Sequence, residues 1–336
     1  MSAPLLSVEN LSVDIHTGRG LLNAIRGVSF EIGAGDSIGI VGESGSGKSI
    51  TLKAVLGLLP TNAEVTTGKI FIKGKDVSAL GKRARRELIS STTGMIFQDA
   101  IAALNPVISV GAQIAEVPRF RLGQSKSAAH DSALKLMEQV GISDGEERFH
   151  LYPHQLSGGL RQRVAIAIAL SGNPQVLFCD EPTTALDVTI QAQVLRLLLE
   201  LRRDAGLGLV FVTHDLAVVN EICESVKVMY AGRFVEEGSV HETFTKPTHP
   251  YTYSLLKAAP DPDSAVSRLF TIAGEAPNLT LPVVGCPFAP RCFAATQECI
   301  DTEPELVAID NSQVACFHSK EHLLWQAADH ESGVHS

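Results

Sequence analysis

The sequence has no excess of basic residues. Lysine and arginine together number 28, against 37 aspartates and glutamates, which gives a formal net charge of −9 at pH 7. Proteins that bind extended nucleic acid usually present a basic face. The composition therefore argues against nucleic acid as a main partner.

Long apolar segments are also absent. No uninterrupted apolar run reaches the roughly 18 residues of a membrane-spanning helix, and the first residues carry no signal-peptide pattern. Nothing in the chain is predicted to span a bilayer, and we expect a cytosolic protein that reaches the membrane only through partners. With 336 residues, of which 45% are hydrophobic, the chain can bury one large core and a smaller appendage, or roughly two domains.

The most informative motif is a glycine-rich loop that matches the P-loop pattern G-x-x-x-x-G-K-[ST]. Its members are Gly42, Glu43, Ser44, Gly45, Ser46, Gly47, Lys48 and Ser49. The glycines allow the backbone to turn its N–H groups around a β-phosphate, where a Cβ would obstruct the approach. Lys48 would contact the β- and γ-phosphate oxygens, and the Ser49 hydroxyl would be a Mg²⁺ ligand. A plain turn is the alternative, but the predicted strand at 36–41 and helix at 50–59 are the context that a P-loop requires.

A second element of a phosphate site follows the apolar strand predicted at 176–179. It ends in the acidic pair Asp180 and Glu181. In P-loop NTPases an aspartate at this place holds the water shell of Mg²⁺, and Glu181 would then orient the attacking water. Alone, such a pair could equally begin a solvated loop, so the interpretation depends on the P-loop.

Six separated motifs resemble, in their order, the ATPase subunit of an ABC transporter. They are the P-loop, Gln98 after the apolar stretch 95–97, the LSGG segment at 156–159, the pair Asp180 and Glu181, the segment 185–187, and His214 after the stretch 209–213. The resemblance covers about residues 5–240. It implies an α/β P-loop NTPase fold with a mainly parallel core sheet, an antiparallel β subdomain and a helical subdomain at about 99–172.

The resemblance also implies roles for individual residues. Gln98 would contact the Mg²⁺ or the attacking water and connect ATP to a membrane subunit. His214, which read alone would be a packed or cap-adjacent histidine, would hold the γ-phosphate. Asp187 would help communicate across a dimer. Catalysis is thus assigned to Glu181, His214 and Gln98.

The LSGG segment would act on a second subunit. Ser157, Gly158 and Gly159 would start a helix that is predicted over 161–170, and its N–H groups and positive dipole end would meet a γ-phosphate bound by the partner subunit. Leu160 stands where many relatives have glutamine and peptide importers often have methionine. The chain also departs from the family upstream of the P-loop, because residues 14–22 include no aromatic platform for adenine; Ile15 and His16 are weak candidates. No hydrolytic position is lost, so a competent ATP site is expected.

The region after residue 240 indicates a particular group within the ABC transporter ATPases. Segments 246–252 and 285–292 resemble the C-terminal extension of oligopeptide/dipeptide importer ATPases, a group that includes nickel and some oligosaccharide importers. We therefore predict an ABC ATPase domain at 1–240 and this extension at 241–336. The signature spelling at 157–164 is closer to the first of the two ATPase subunits that such systems pair, which favours a heterodimer. The resemblance implies two permease subunits and an extracytoplasmic substrate-binding protein as further partners, and a peripheral position on the cytoplasmic side of the membrane.

Four of the six cysteines fall in this extension. They are Cys286, Cys292, Cys299 and Cys316. In a reducing compartment a four-thiolate metal site is favoured over disulfides, and the resemblance implies a 4Fe-4S cluster, with zinc or metal-free thiols as alternatives. Cys179 and Cys223 are expected to be small buried hydrophobic residues. The final segment, 321–336, contains three irregularly spaced histidines and is predicted to be a disordered end.

Taken together, these patterns predict an ATP- and Mg²⁺-dependent subunit that powers peptide uptake by an ABC importer. Nickel or oligosaccharide import is the alternative substrate class. A soluble ABC-type ATPase of DNA repair or translation is disfavoured, because the chain has one cassette and no long heptad repeat. A non-catalytic partner is disfavoured because Glu181 and His214 are present.

Overall fold

The computed structural model describes residues 3–99, 103–184, 186–259 and 271–321. Ala185 of the segment 185–187 and the three histidines of the predicted disordered end lie outside the described residues. The chain divides into two compact units. The first unit comprises Met1–Ser7, Phe30–Ser37 and Lys69–Val212, and the second comprises Val8–Ser29, Ile38–Gly68 and Thr213–Ser336.

The described residues form twelve strands and eleven α-helices. The strands are β1 (Leu6–Thr17), β2 (Gly20–Ile32), β3 (Ser37–Val41), β4 (Ala63–Ile72), β5 (Lys75–Asp76), β6 (Thr93–Ile96), β7 (Val176–Asp180), β8 (Gly208–Val212), β9 (Ser225–Tyr230), β10 (Arg233–Ser239), β11 (Val307–Ile309) and β12 (Ser312–Val314). The helices are α1 (Lys48–Leu56), α2 (Lys82–Thr92), α3 (Val110–Phe120), α4 (Lys126–Gln139), α5 (Gly145–Phe149), α6 (Gly158–Leu170), α7 (Val188–Ala205), α8 (Leu216–Ile222), α9 (Val240–Thr245), α10 (Pro250–Ala258) and α11 (Gln297–Asp301). Within the described residues no helix is both long and apolar enough to cross a membrane.

The first unit contains three parallel strands, β6, β7 and β8, in which Ile96 pairs with Cys179 and Cys179 with Phe211. Every residue of β7 and β8 is buried. Continuous apolar strands of this kind are typical of a parallel sheet covered on both faces. Their carboxyl ends lead to the positions of Gln98 and Glu181, so the sheet sets the spacing of these two side chains.

In the stretch predicted as a helical subdomain, about 99–172, the described residues form helices α3 to α6. Ser125 caps α4, and its Oγ accepts a hydrogen bond of 3.2 Å from the Ala128 N–H. Ala133 and Met137, four residues apart on α4, are fully buried. Gly141, with φ 74°, follows the helix end, because this left-handed conformation favours glycine.

The second unit is built on β3, which runs parallel to β9, and on the antiparallel strands that follow β9. Strand β12 pairs with β10, and β11 with β12, so that the C-terminal extension continues this sheet. Strands β2, β1 and β4 lie side by side in that order, and β1 and β2 form a hairpin through two residues. The antiparallel β subdomain that the resemblance implies is therefore present.

A buried carboxylate ties the extension to β10. Glu236 is 0% exposed and accepts hydrogen bonds from the Thr248 N–H and hydroxyl, both at 2.7 Å, and from the His249 N–H at 3.1 Å. Burial raises the pKa of Glu236 and lowers the pKa of His249 to about 3. The His249 ring, thus held neutral, accepts from the Tyr251 N–H and caps α10. These bonds fix where α10 begins.

Candidate nucleotide site

The glycines of the P-loop adopt conformations that other residues rarely reach. After the fully buried strand β3, Gly42, Gly45 and Gly47 have φ values of 151°, 79° and 112°. A Cβ added at Gly42 would overlap the Met229 carbonyl oxygen, and one at Gly47 would lie 2.8 Å from Ile25 Cδ1. The loop therefore requires glycine both for its dihedral angles and for its close packing.

Inside the loop, Lys48 is 5% exposed, and its Nζ donates to the carbonyl oxygens of Gly42 (2.7 Å) and Glu43 (3.0 Å). The Ser46 Oγ is buried and, among the residues that the structure describes, has no hydrogen-bond partner. Helix α1 begins at Lys48 with no side-chain cap and no acidic residue in its first turn. A cation, a buried hydroxyl and an uncapped helix start together suit an anion, so the loop fits the phosphates of a nucleotide with their Mg²⁺.

The two acidic residues after β7 have different surroundings. Asp180 is 4% exposed at the strand end. Glu181 has φ 47°, a left-handed conformation that is strained for a side chain of this size. Its N–H donates to the Val212 oxygen at 2.8 Å. Its Oε2 accepts from Gln98 Nε2 and from Thr184 Oγ1, both at 3.0 Å.

The structure thus brings together Gln98 and Glu181, two of the three residues predicted to be catalytic. Thr184 was not identified from the sequence, although it lies only three residues after Glu181, a separation that allows a local side-chain contact. Strained backbone held by surrounding hydrogen bonds is common at functional sites. The arrangement can aim a carboxylate oxygen at a water molecule.

The signature helix starts three residues earlier than predicted. The Ser157 Oγ accepts from the Leu160 N–H at 3.4 Å, and α6 begins at Gly158. Ser157 and Gly158 are exposed, and a Cβ at Gly158 would meet no atom within 4 Å. A Cβ at Gly159 would lie 2.9 Å from Ile190 Cγ2. The helix start therefore has one close-packed glycine and one glycine open to an approaching group.

His214 and Asp187 occupy ends of regular elements. His214 is exposed and follows Thr213, whose N–H donates to the oxygen of Ile40 in β3 at 3.3 Å. The cap of α8 is the next residue, Asp215, and not His214. The Asp187 Oδ1 accepts from the Ile190 N–H at 3.0 Å and caps α7.

The two weak candidates for adenine stacking, Ile15 and His16, lie on β1. The His16 side chain is 66% exposed, and its Nε2 lies 3.7 Å from Glu64 Oε1. These contacts do not test whether Ile15 or His16 stacks on adenine, and the stacking role stays a prediction.

The four cysteines of the extension are gathered near one another. The Cys286 N–H donates to the Cys299 oxygen at 2.7 Å. Burial, followed by the charges of the neighbouring cysteines, raises the pKa of Cys292 to about 11 and that of Cys316 to about 12. None of the four forms a disulfide in the described chain. Burial thus disfavours the thiolate forms of Cys292 and Cys316.

The proximity of the four cysteines does not by itself make a metal site. Over residues 3–99, 103–184, 186–259 and 271–321, no group of three or more histidine, cysteine, aspartate or glutamate side chains is placed to hold a metal ion. The geometry therefore gives no support to the predicted 4Fe-4S cluster beyond the proximity of the thiols. Cys179, at 0% exposure, and Cys223, at 8%, are buried as predicted.

Comparison with known proteins identifies the family that the chain resembles. The ABC transporter family matches residues 25–184, and the C-terminal region of oligopeptide/dipeptide transporters matches residues 235–299. The oligopeptide transport ATP-binding protein OppD of Haemophilus influenzae is 44% identical over 95% of this chain and 98% of its own length. The dipeptide transport ATP-binding protein DppD of Bacillus subtilis is 44% identical over 97% of this chain and 96% of its own length.

Among solved structures, a dimeric ATP-binding cassette in a post-hydrolysis state bound to ADP and Pi aligns with a TM-score of 0.62 and 27% identity. It covers 70% of this chain and 98% of that cassette. The predicted fold class and the predicted family are confirmed. The chain belongs to the ATP-hydrolysing subunits of ABC transporters, in the group with the oligopeptide/dipeptide C-terminal region.

Proposed function

We propose that this chain powers the import of di- or oligopeptides by binding and hydrolysing ATP on the cytoplasmic side of a membrane. The observation that carries the proposal is that one chain combines the Gln98–Glu181 pair at the end of β7 with the oligopeptide/dipeptide region at 235–299. The permease subunits are its membrane partners. A second, related ATPase subunit and an extracytoplasmic binding protein complete the proposed complex.

At the nucleotide site each residue has one task. The P-loop N–H groups and Lys48 would hold the β- and γ-phosphates, and Ser49, Gln98 and Asp180 would hold the metal and its waters. Bound Mg²⁺ supplies neutralisation of phosphate charge. Glu181 orients the water for attack, and His214 holds the γ-phosphate from the side. The exposed start of α6 contacts the γ-phosphate bound to the partner subunit.

Transport itself tests the substrate class. The complex, purified with its own permease and binding protein and reconstituted in vesicles, should show ATPase stimulation by peptides. Nickel and oligosaccharides are the comparison substrates, because they belong to the alternative importers of the group. Stimulation by nickel or sugar but not by peptides would replace the peptide assignment.

Ser157→Arg tests the trans contact. The substitution places a bulky cation at the exposed helix start, so closure of the dimer and ATPase activity of the complex should be lost, while nucleotide affinity at this chain's own P-loop stays within about twofold. Ser125→Arg is a matched control, because Ser125 caps α4 in the same way and its loss should cost only about 1 kcal/mol of stability. A parallel collapse of nucleotide affinity in the isolated Ser157→Arg subunit would refute the trans geometry.

We also propose that the four gathered cysteines hold a 4Fe-4S cluster with a structural role. Protein purified anaerobically should be brown and contain about four irons per chain. Cys292→Ser should bleach the colour and make residues beyond about 280 protease-sensitive, since metal binding contributes to folding where there is little core. Cys223→Ala should keep the colour. Colourless protein with stoichiometric zinc would indicate a zinc site, and four alkylatable thiols in folded protein would exclude both metals.

A further inference from the structure

One residue of the P-loop is held by the C-terminal extension. The Arg291 side chain is 4% exposed and forms a two-pronged ion pair with Glu43: Nη1 to Oε2 at 2.7 Å and Nη2 to Oε1 at 2.9 Å. The Tyr251 hydroxyl accepts the Glu43 N–H at 2.8 Å. Both partners lie more than 200 positions further along the chain.

The main chain of Glu43 is engaged as well. Its carbonyl oxygen accepts from Lys48 Nζ at 3.0 Å and from the Ser46 N–H at 3.2 Å. The side chain, N–H and carbonyl of Glu43 are thus all hydrogen-bonded. The contacts with Arg291 and Tyr251 orient a peptide whose carbonyl oxygen accepts from Lys48 Nζ. A planar guanidinium paired with a carboxylate in this way gives directional as well as electrostatic restraint.

Arg291 is itself positioned by its neighbours. Its Nε donates to the Ala273 oxygen at 3.0 Å, and its Nη1 to the Tyr230 hydroxyl at 3.2 Å. The guanidinium carbon lies 5.8 Å from the ring centre of Tyr230 and 5.9 Å from that of Phe288. Because these contacts fix the Arg291 side chain, its ion pair can restrain the conformation of the P-loop.

We propose that Arg291 and Tyr251 are positioning residues of the ATPase, which hold the P-loop through Glu43 in the conformation that receives phosphate. They act through Glu43 and Lys48 and do not contact the nucleotide. The inference rests on the P-loop assignment of the proposed function. It gives the extension a task at the nucleotide site in addition to any metal binding.

We call the contacts of Arg291 and Tyr251 with Glu43 the clamp. The direction in which Glu43→Gln changes the Kd for ATP distinguishes the clamp from a simple effect of charge. Removal of a negative charge beside bound phosphate should tighten ATP binding if electrostatics alone mattered. The clamp predicts the opposite, because the neutral amide cannot pair both oxygens with Arg291. We expect Glu43→Gln and Arg291→Gln each to raise the Kd for ATP about tenfold, which corresponds to about 1.4 kcal/mol. The double variant should resemble either single variant, since both remove one interaction.

Arg26→Gln is the matched control. Arg26 also ties the extension to the rest of the second unit, with both Glu303 oxygens 2.6 Å from its Nη2, but it does not touch Glu43. It should leave the Kd for ATP within about twofold while lowering thermal stability by a similar amount to Arg291→Gln. Tyr251→Phe keeps the ring and removes only the acceptor, so a folded protein with weakened ATP binding is expected.

These titrations use the full chain, with unfolding temperatures measured in parallel. Tighter ATP binding by Glu43→Gln, additive effects on the Kd in the double variant, or equal losses of ATP affinity in Arg26→Gln and Arg291→Gln would each overturn the clamp. Lys48→Ala separates this failure from a failure of the site. If Lys48→Ala leaves ATP binding intact, the P-loop assignment itself is wrong.

Discussion

Glu181→Gln should retain ATP binding and lower the rate of ATP hydrolysis on the order of 10² or more, the scale expected for a group that positions or activates water. Glutamine keeps the length of the side chain and one oxygen that can accept from Thr184 and Gln98, so the strained backbone at this position should survive. What is lost is the carboxylate charge. The measurement is kcat of the assembled complex together with the Kd for ATP.

A carboxylate away from the site provides the control for Glu181→Gln. Glu138 is exposed on α4, and Glu138→Gln should leave both constants unchanged. Turnover of Glu181→Gln within a few-fold of the unmodified protein would remove the assignment of Glu181.

Lys48→Ala should abolish effective nucleotide binding. The ammonium group is almost fully buried and already lies among the carbonyl oxygens of the loop. Hydrogen bonds to charged groups contribute about 1.5–3 kcal/mol each, which is roughly a 10- to 150-fold change in Kd for a single lost bond. With several phosphate contacts removed at once, the loss should exceed that range. Titration of the full chain with ATP and Mg²⁺ measures it.

Lys53→Ala is the control that separates the effect of the position of Lys48 from the effect of its charge. Lys53 lies in the last turn of the same helix, so its removal changes net charge equally but should leave the Kd for ATP nearly unchanged. If both substitutions weakened ATP binding to a similar extent, overall charge, and not a phosphate contact of Lys48, would govern binding.

The parts of the site that could be predicted are those encoded in short segments. The P-loop glycines are recognisable because each answers a local need, either a positive φ or a close contact. The limits of helix α4 are marked by residues of recognisable type, because Ser125 caps its start and Gly141 follows its end. The start of α6 was misplaced by three residues, since Gly158 and Gly159 have low helix propensity. Ser157, as the capping residue, decides the start instead.

The contacts of Glu43 could not be predicted in the same way. Arg291 lies 248 positions after Glu43, and no pattern in one sequence pairs residues over such a distance. The segment containing Tyr251 was recognisable only as a likeness to importer extensions. Its hydroxyl contact depends on how the chain packs, which local propensities do not specify. The ligand arrangement of the four cysteines has the same limit, because their spacing says nothing about the directions of their thiols.

The hydrogen bonds of Glu43 and Glu236 bear on how the chain can be cut for experiments. A fragment that ended at residue 240 would match the predicted ATPase domain, yet it would lack Tyr251 and Arg291. It would also leave the Glu236 carboxylate without Thr248 and His249, the donors that offset its burial. Nucleotide affinities measured on such a truncated cassette would describe a differently supported loop, so they should be measured on the full chain.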